Sequence, residues 1–156
     1  MVDKKLEVAR DTRVEPSEIE ALREQVGWDR CPGTYAEILR RHYAYYTVRN
    51  HSGQLVGYLS VLSDGIADAF LLDLMVHPAY QHGGIGRLLV QTAVSDLRRA
   101  GIRCVQVTFG DHLESFYKQC WFHIFSGGII DFKNMVQDDH RFPSSPPDVG
   151  ESGDTE

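Results

Sequence analysis

Val76-His77-Pro78-Ala79-Tyr80-Gln81-His82-Gly83-Gly84-Ile85-Gly86-Arg87 joins an apolar run to an amphipathic one, and the reading of this join decides the fold. Proline disfavours continuation of a central ladder, so a strand ends near His77-Pro78. The glycines let exposed backbone N–H groups converge on an anion at the start of a helix, and a pyrophosphate is the natural ligand for such a turn. Taken alone, the turn also admits simple chain reversal as the lesser reading. Two nucleotide-binding patterns fail on spacing: Leu89 occupies the place of the third glycine after Gly84-x-Gly86, and no GxxxxGK[ST] follows any strand.

On either side of this turn the hydrophobic pattern is legible. Upstream, residues 69–76 read as a buried strand. Downstream, Leu89, Ala93, Leu97 and Ala100 align along one helical face, Arg98 and Arg99 suit its C-terminal dipole, and Gly101 supplies the stop. Residues 102–109 alternate as a strand does. Asp111 and Glu114 then have capping-box spacing for a helix carrying Leu113, Phe116, Tyr117 and Cys120 on one face.

Towards the N-terminus, residues 6–10 form a short candidate strand, and Pro16-Ser17-Glu18 opens a helix with Ile19, Leu22 and Val26 at helical spacing, closing at Gly27. Thr34 is placed to cap a second helix holding Ile38 and Leu39. Residues 43–49 and 55–62 flank the turn cluster Asn50-His51-Ser52-Gly53 and predict a β-hairpin. Residues 122–125 and 129–132 read as final strands around Gly127-Gly128. The pieces alternate β and α around one mixed sheet, an α/β (α+β) class, in a single domain over residues 1–142. The Ser/Pro/Gly/Asp/Glu-rich residues 143–156 cannot build a core and are expected to be a disordered acidic tail.

Charge and cysteine usage narrow the function classes. The net charge is −6, of which residues 137–156 supply −5, six carboxylates against Arg141. The near-neutral remainder lacks the basic face that non-specific nucleic-acid binding needs. The first residues carry charge where a secretory leader needs an apolar core, and the run at 69–76 is interrupted by Asp73, so neither a leader nor a membrane span is expected. Cys31, Cys104 and Cys120 are odd in number and contain no CxxC, which fits a reducing cytoplasm and argues against a disulfide framework or a zinc knuckle. His77, His82, His112 and His123 form no pair with metal-ligand spacing and a supporting carboxylate, so no metal is expected. The hairpin and the final strands could pair across a homodimer.

The turn resembles the signature of the GNAT superfamily of acyl-CoA N-acyltransferases, Gln/Arg-x-x-Gly-x-Gly/Ala, which stands here as Gln81-His82-Gly83-Gly84-Ile85-Gly86. The resemblance extends to Val76-x-Pro78-x-x-Gln81 before it. It also extends to Phe116-Tyr117-Lys118-Gln119-Cys120-Trp121-Phe122, which is similar to the family's Phe-Tyr-x-x-x-Gly-Phe with Trp121 in place of the glycine. Two further departures are Gly110, where many members carry an asparagine that helps hold the pantetheine arm, and Leu72, where related proteins often carry a glutamate.

The resemblance implies a mostly antiparallel sheet of six to seven strands flanked by about four helices, splayed between the fourth and fifth strands, over residues 3–136. It implies acetyl-CoA as cosubstrate and a small-molecule or peptide amine as acceptor, approaching from opposite sides of the splay. In that picture the backbone of Leu74, Met75 and Val76 pairs with pantetheine as an added strand would, and the amides from Gln81 through His82, Gly83, Gly84, Ile85 and Gly86 to Arg87 grip the diphosphate. Arg87 reads either as a phosphate contact or as a solvated side chain. Tyr117 matches the tyrosine that family members place near the cofactor sulfur as general acid, and otherwise reads as a core residue. Asp73 is the nearest ionisable residue on the strand. It reads as a base, a role that a water relay fills equally well, as an anchor for the substrate ammonium or as a brace of the sheet. The competing function class is a non-catalytic acyl-CoA-binding sensor or interaction module.

Overall fold

Leu55–Ser63 (β3) and Asp68–Val76 (β4), the two longest strands among the described residues, pair antiparallel, and the other elements are arranged around them. The computed structural model describes residues 6–130. In chain order the remaining elements are β1 (Val8–Arg10), α1 (Pro16–Gln25), α2 (Tyr35–Arg41), β2 (Ala44–Arg49), α3 (Ile85–Arg99), β5 (Cys104–Val107) and α4 (Glu114–Gln119). The sheet order is β1-β2-β3-β4-β5, antiparallel throughout except for the last pair, which the crossover through α3 makes parallel. Residues 6–124 belong to one compact unit; residues 125–130 open a second.

Each face of the sheet has its own apolar layer. On one face α3 lays Leu89, Val90, Ala93 and Leu97, all at or below 1% exposure, against Val48, Val56, Val61 and Leu71. This is the stripe that the spacing predicts, except that Ala100 is the exposed C-cap rather than a core residue. On the other face, Ile19 and Leu22 of α1 and Tyr35 of α2 pack with Leu55, Tyr58 and Met75. α3 packs tightly over β3 at Gly57, where an added Cβ would stand 3.1 Å from Ile85 Cγ2 and Leu89 Cδ1 and 3.2 Å from Val48 Cβ. Gly57→Ala should therefore overpack this contact and cost about 1–3 kcal/mol, read as a lower urea midpoint.

The described sheet has five strands, fewer than the six to seven expected. Residues 122–130 carry no ladder. The amide of Phe122, needed for a strand at 122–125, is instead spent on the carbonyl of Tyr117 in the cap of α4, at 3.1 Å. The expected strand at 129–132, the domain end at 142 and the acidic tail fall wholly or partly outside the described residues. Two caps also differ from expectation: Thr34 flanks α2 without a side-chain hydrogen bond, and Asp111–Leu113 form a 3-10 turn from which α4 continues at Glu114.

Candidate active site

The parting of β4 from β5 creates the site. The two strands pair only from Asp68↔Cys104 to Leu71↔Val107, leaving the β5-facing edge of β4 beyond Leu71 without a partner strand among the described residues. On the other edge Ser60 faces Leu72 while Tyr58 faces Met75, so β4 carries one more residue than β3 across this interval. That surplus is a β-bulge, which bends a strand and increases its twist. Asp73 sits in it at φ 53°, a conformation that aspartate tolerates better than most residues.

The bulge aims the Asp73 carboxylate at α1 and α2. Tyr35 Oη donates to it at 2.7 Å and Arg23 Nη1 approaches it at 3.5 Å, while the same guanidinium donates to Tyr35 Oη at 2.9 Å and to the Asp29 carbonyl at 2.6 Å. Arg23 also lies over the ring of Trp28, 5.3 Å from its centroid. Burial, then the Asp73 charge, pushes the Tyr35 phenol well above its ordinary range, so it remains a donor. Two further groups lie in electrostatic reach of Asp73: His42, whose imidazole burial pushes down against the pull of that carboxylate, and Tyr58, whose phenol burial pushes up. Among the described residues His42 Nδ1 is buried without a hydrogen-bond partner, while Tyr58 Oη has the Ser60 hydroxyl beside it. Tyr35→Phe removes the hydroxyl that links Asp73 to Arg23 and should cost about 1.5–3 kcal/mol, measured as a fall in unfolding free energy.

Across the parting strands lies Tyr117. Its ring is 4% exposed, stacked on Phe109 at 4.4 Å between centroids and met edge-on by Phe116 and Phe122 at 5.0 and 5.6 Å. Burial holds its phenol protonated, pushed up to about 12, with a smaller contribution from Cys120. No hydrogen bond engages its hydroxyl among the described residues. Asp73, Leu74 and Tyr117 line one cleft of about 330 Å³ with Trp28, Leu72 and Phe109.

The glycine turn leaves the end of β4 through a 3-10 turn at Pro78–Tyr80. Gln81 Nε2 reaches back to the Val76 carbonyl at 2.9 Å, and Asn50 donates to Tyr80 Oη at 3.0 Å, so the turn is tied to β4 and to the β2–β3 hairpin. His82 at φ 63° and Gly84 at φ 87° make the reversal into α3, for which Gly84 is the N-cap. The amides of the first turn of α3 have no carbonyl within the helix to donate to. The Gln81 amide is engaged by the Pro78 carbonyl, at 3.3 Å.

The candidate residues thus fall into distinct places. Gln81, Gly83, Gly84, Ile85 and Arg87 border a second hollow, about 530 Å³, with Leu6 and Gln91. Gly86 lies under α4, where an added Cβ would be 3.4 Å from Phe116 Cζ. Met75 is 1% exposed in the layer beneath α1 and α2, and Leu74 and Val76 pack against the opposite layer. Arg87 donates to Gln119 of α4. Sequence reading missed Arg23, Trp28 and His42. No local signal marks them, because their importance comes from Asp73, 50 positions from Arg23. Among the described residues no three His, Cys, Asp or Glu side chains could hold a metal ion, and no helix is long and apolar enough to cross a membrane.

The sequence pattern of the acetyltransferase (GNAT) family matches residues 7–122. A relative named as an uncharacterized N-acetyltransferase, ycf52, from Porphyra purpurea is 28% identical over 109 residues. That alignment covers 67% of this chain and 63% of the relative, so the chain spans a little under two thirds of that protein's length. Among solved structures, a GNAT acetyltransferase from Streptococcus pneumoniae superposes with a TM-score of 0.67 at 23% identity, covering 81% of this chain and 98% of the other. A GNAT N-acetyltransferase from Escherichia coli, solved in complex with CoA, gives 0.62 at 19% identity over 76% of this chain and 68% of the other.

Proposed function

Because the chain belongs to the acetyltransferase (GNAT) family, we propose that it transfers an acetyl group from acetyl-CoA to a primary amine by direct attack. The observation that carries this reading is that Asp73 and Tyr117 line one cleft where β4 separates from β5. Tyr117 thereby reaches the cleft from the α4 side and Asp73 from the α1/α2 side.

The residues present fit the cosubstrate. Beyond Leu71, the β5-facing edge of β4 offers backbone groups that an extended amide-bearing arm can pair with, as an added strand does. The first-turn amides of α3 and the Gly84 reversal offer donors to a diphosphate. Leu74 and Met75, just past the bulge, supply the backbone amide that receives the negative charge developing on the thioester oxygen.

Tyr117 donates a hydrogen bond to the departing sulfur. A phenol held at about 12 yields its proton less readily than an ordinary thiol, with a pKa of about 8.5. Its part is therefore to stabilise sulfur charge as the C–S bond breaks, and the proton balance closes with the one that the attacking amine sheds. Asp73, with its oxygens engaged by Tyr35 and Arg23, serves as a fixed anion that draws in and orients the acceptor's ammonium, which gives one proton to solvent water before the neutral amine attacks.

The test is thiol release from acetyl-CoA against a panel of amines, with thermal shift by acetyl-CoA alone. Stabilisation with amine-dependent release supports the transferase; stabilisation without release from any amine supports the sensor; absence of stabilisation removes the cosubstrate.

A further inference from the structure

Trp121 occupies the C′ position of α4. The Trp121 amide donates to the Lys118 carbonyl at 3.2 Å and the Phe122 amide to the Tyr117 carbonyl at 3.1 Å, the paired bonds of a Schellman cap. That cap requires a left-handed residue, for which glycine is suited, yet here the largest side chain stands at φ 72°. The ring is also 64% exposed, and among the described residues no aromatic ring or cation stacks on it. A bulky residue in a strained backbone, gaining little burial in return, is an outlier that asks for a function.

Its location suggests one. α4 packs on the first turn of α3: Phe116 covers Gly86, Gln119 accepts from Arg87, and the charge of Arg87 reaches Cys120, the residue just before Trp121. Trp121 follows Gln119 by two residues, so its exposed side chain belongs to the end of α4 that Arg87 of the proposed diphosphate turn contacts. A nucleotide carries an aromatic base beyond its diphosphate, and a base stacks on an exposed aromatic face without needing specific hydrogen bonds.

We propose that Trp121 forms the stacking platform for the adenine of the CoA cosubstrate, so that backbone ease in α4 is given up for grip on the nucleotide half. The inference rests on the reading of the chain as an acetyl-CoA-dependent enzyme.

The experiment measures binding by calorimetry for acetyl-CoA and for S-acetylpantetheine, which lacks the nucleotide, using wild type, Trp121→Gly, Trp121→Ala and Trp121→Phe. Loss of a stacked base should weaken acetyl-CoA binding about tenfold in the Gly and Ala variants, with Phe retaining most of the affinity. S-acetylpantetheine should bind all four proteins alike. Ligand-free Trp121→Gly should melt a few degrees above wild type, because the strain is relieved, whereas Trp121→Ala keeps its Cβ at positive φ and should not. In a Trp28→Phe background CoA should quench the remaining indole emission. Equal acetyl-CoA affinity in wild type and Trp121→Gly overturns the proposal, as does an equal loss for both ligands. A wild-type protein that binds no acetyl-CoA overturns the transferase reading itself, a failure visible before any variant is made.

Discussion

Tyr117→Phe is expected to lower turnover by about tenfold or more while leaving acetyl-CoA affinity within about twofold of wild type. The phenylalanine ring keeps the stack on Phe109 and the edge contacts of Phe116 and Phe122, so the local packing survives. Only the hydroxyl, which has no partner among the described residues, is lost. Fold stability near neutral pH should therefore hardly change, and single-turnover kinetics should place the defect in the chemical step. Unchanged turnover would exclude Tyr117 from the mechanism.

The same variant carries a stability signature with a definite sign. Burial raises the Tyr117 phenol from its ordinary value of about 10 to about 12, which means that the folded protein favours the protonated form. The stability that follows is fully present below pH ~10 and is lost as pH rises from there through about 12, a change of about 3 kcal/mol from this residue. Tyr35, Tyr46 and Tyr58 are shifted in the same direction by burial and add to the alkaline loss. Urea midpoints recorded at rising alkaline pH should fall more steeply for wild type than for Tyr117→Phe.

Gly84→Asp is expected to abolish most cosubstrate binding, by about a hundredfold or more, with little damage to the fold. Nothing lies within 4 Å of a Cβ built at Gly84, so there is room for the side chain, although φ 87° strains any L residue there. Aspartate is otherwise a favourable residue at a helix N-cap, which offsets part of that strain. Its carboxylate, however, would stand in the turn proposed for the diphosphate, and like charges about 4 Å apart near a protein surface repel by about 4 kcal/mol per pair. Gly84→Asn has nearly the same shape without the charge and separates the two effects. If calorimetry finds the Asp variant at wild-type affinity, the turn is not the diphosphate site.

Much of this architecture was legible because hydrophobic spacing and turn chemistry agree along the chain. The α3 stripe, the hairpin around residues 50–53 and the apolar β4 are each specified by residues close in sequence. The turn at residues 81–86 could be placed at a helix N-terminus for the same reason. The bulge at Asp73 is not legible, since it exists only in the register between β4 and β3, two apolar runs that give no sign of a surplus residue when each is read alone. Nor was the bond network of Arg23, Tyr35 and Asp73, which draws on three elements far apart in sequence. The expected strand at residues 122–125 failed on a conflict visible only in three dimensions: the Phe122 amide cannot serve a helix cap and a ladder at once. Trp121 departs visibly from the family pattern, but its left-handed backbone and exposure appear only in the structure.

The surplus residue in β4 also bears on which length changes this protein can accept. Between Leu72 and Met75 the strand is one residue longer than its partner requires, so a single-residue deletion there would match β3 more regularly. A straighter β4 would then run on beside β5, drawing together the two strands whose separation makes the cleft. The shortened chain should still fold, the regained pairing offsetting part of the lost Tyr35–Asp73 link, and yet have lost its entrance. In this interval tolerance to deletion and retention of activity would part company, which makes it a poor place to trim loops in search of a sturdier variant.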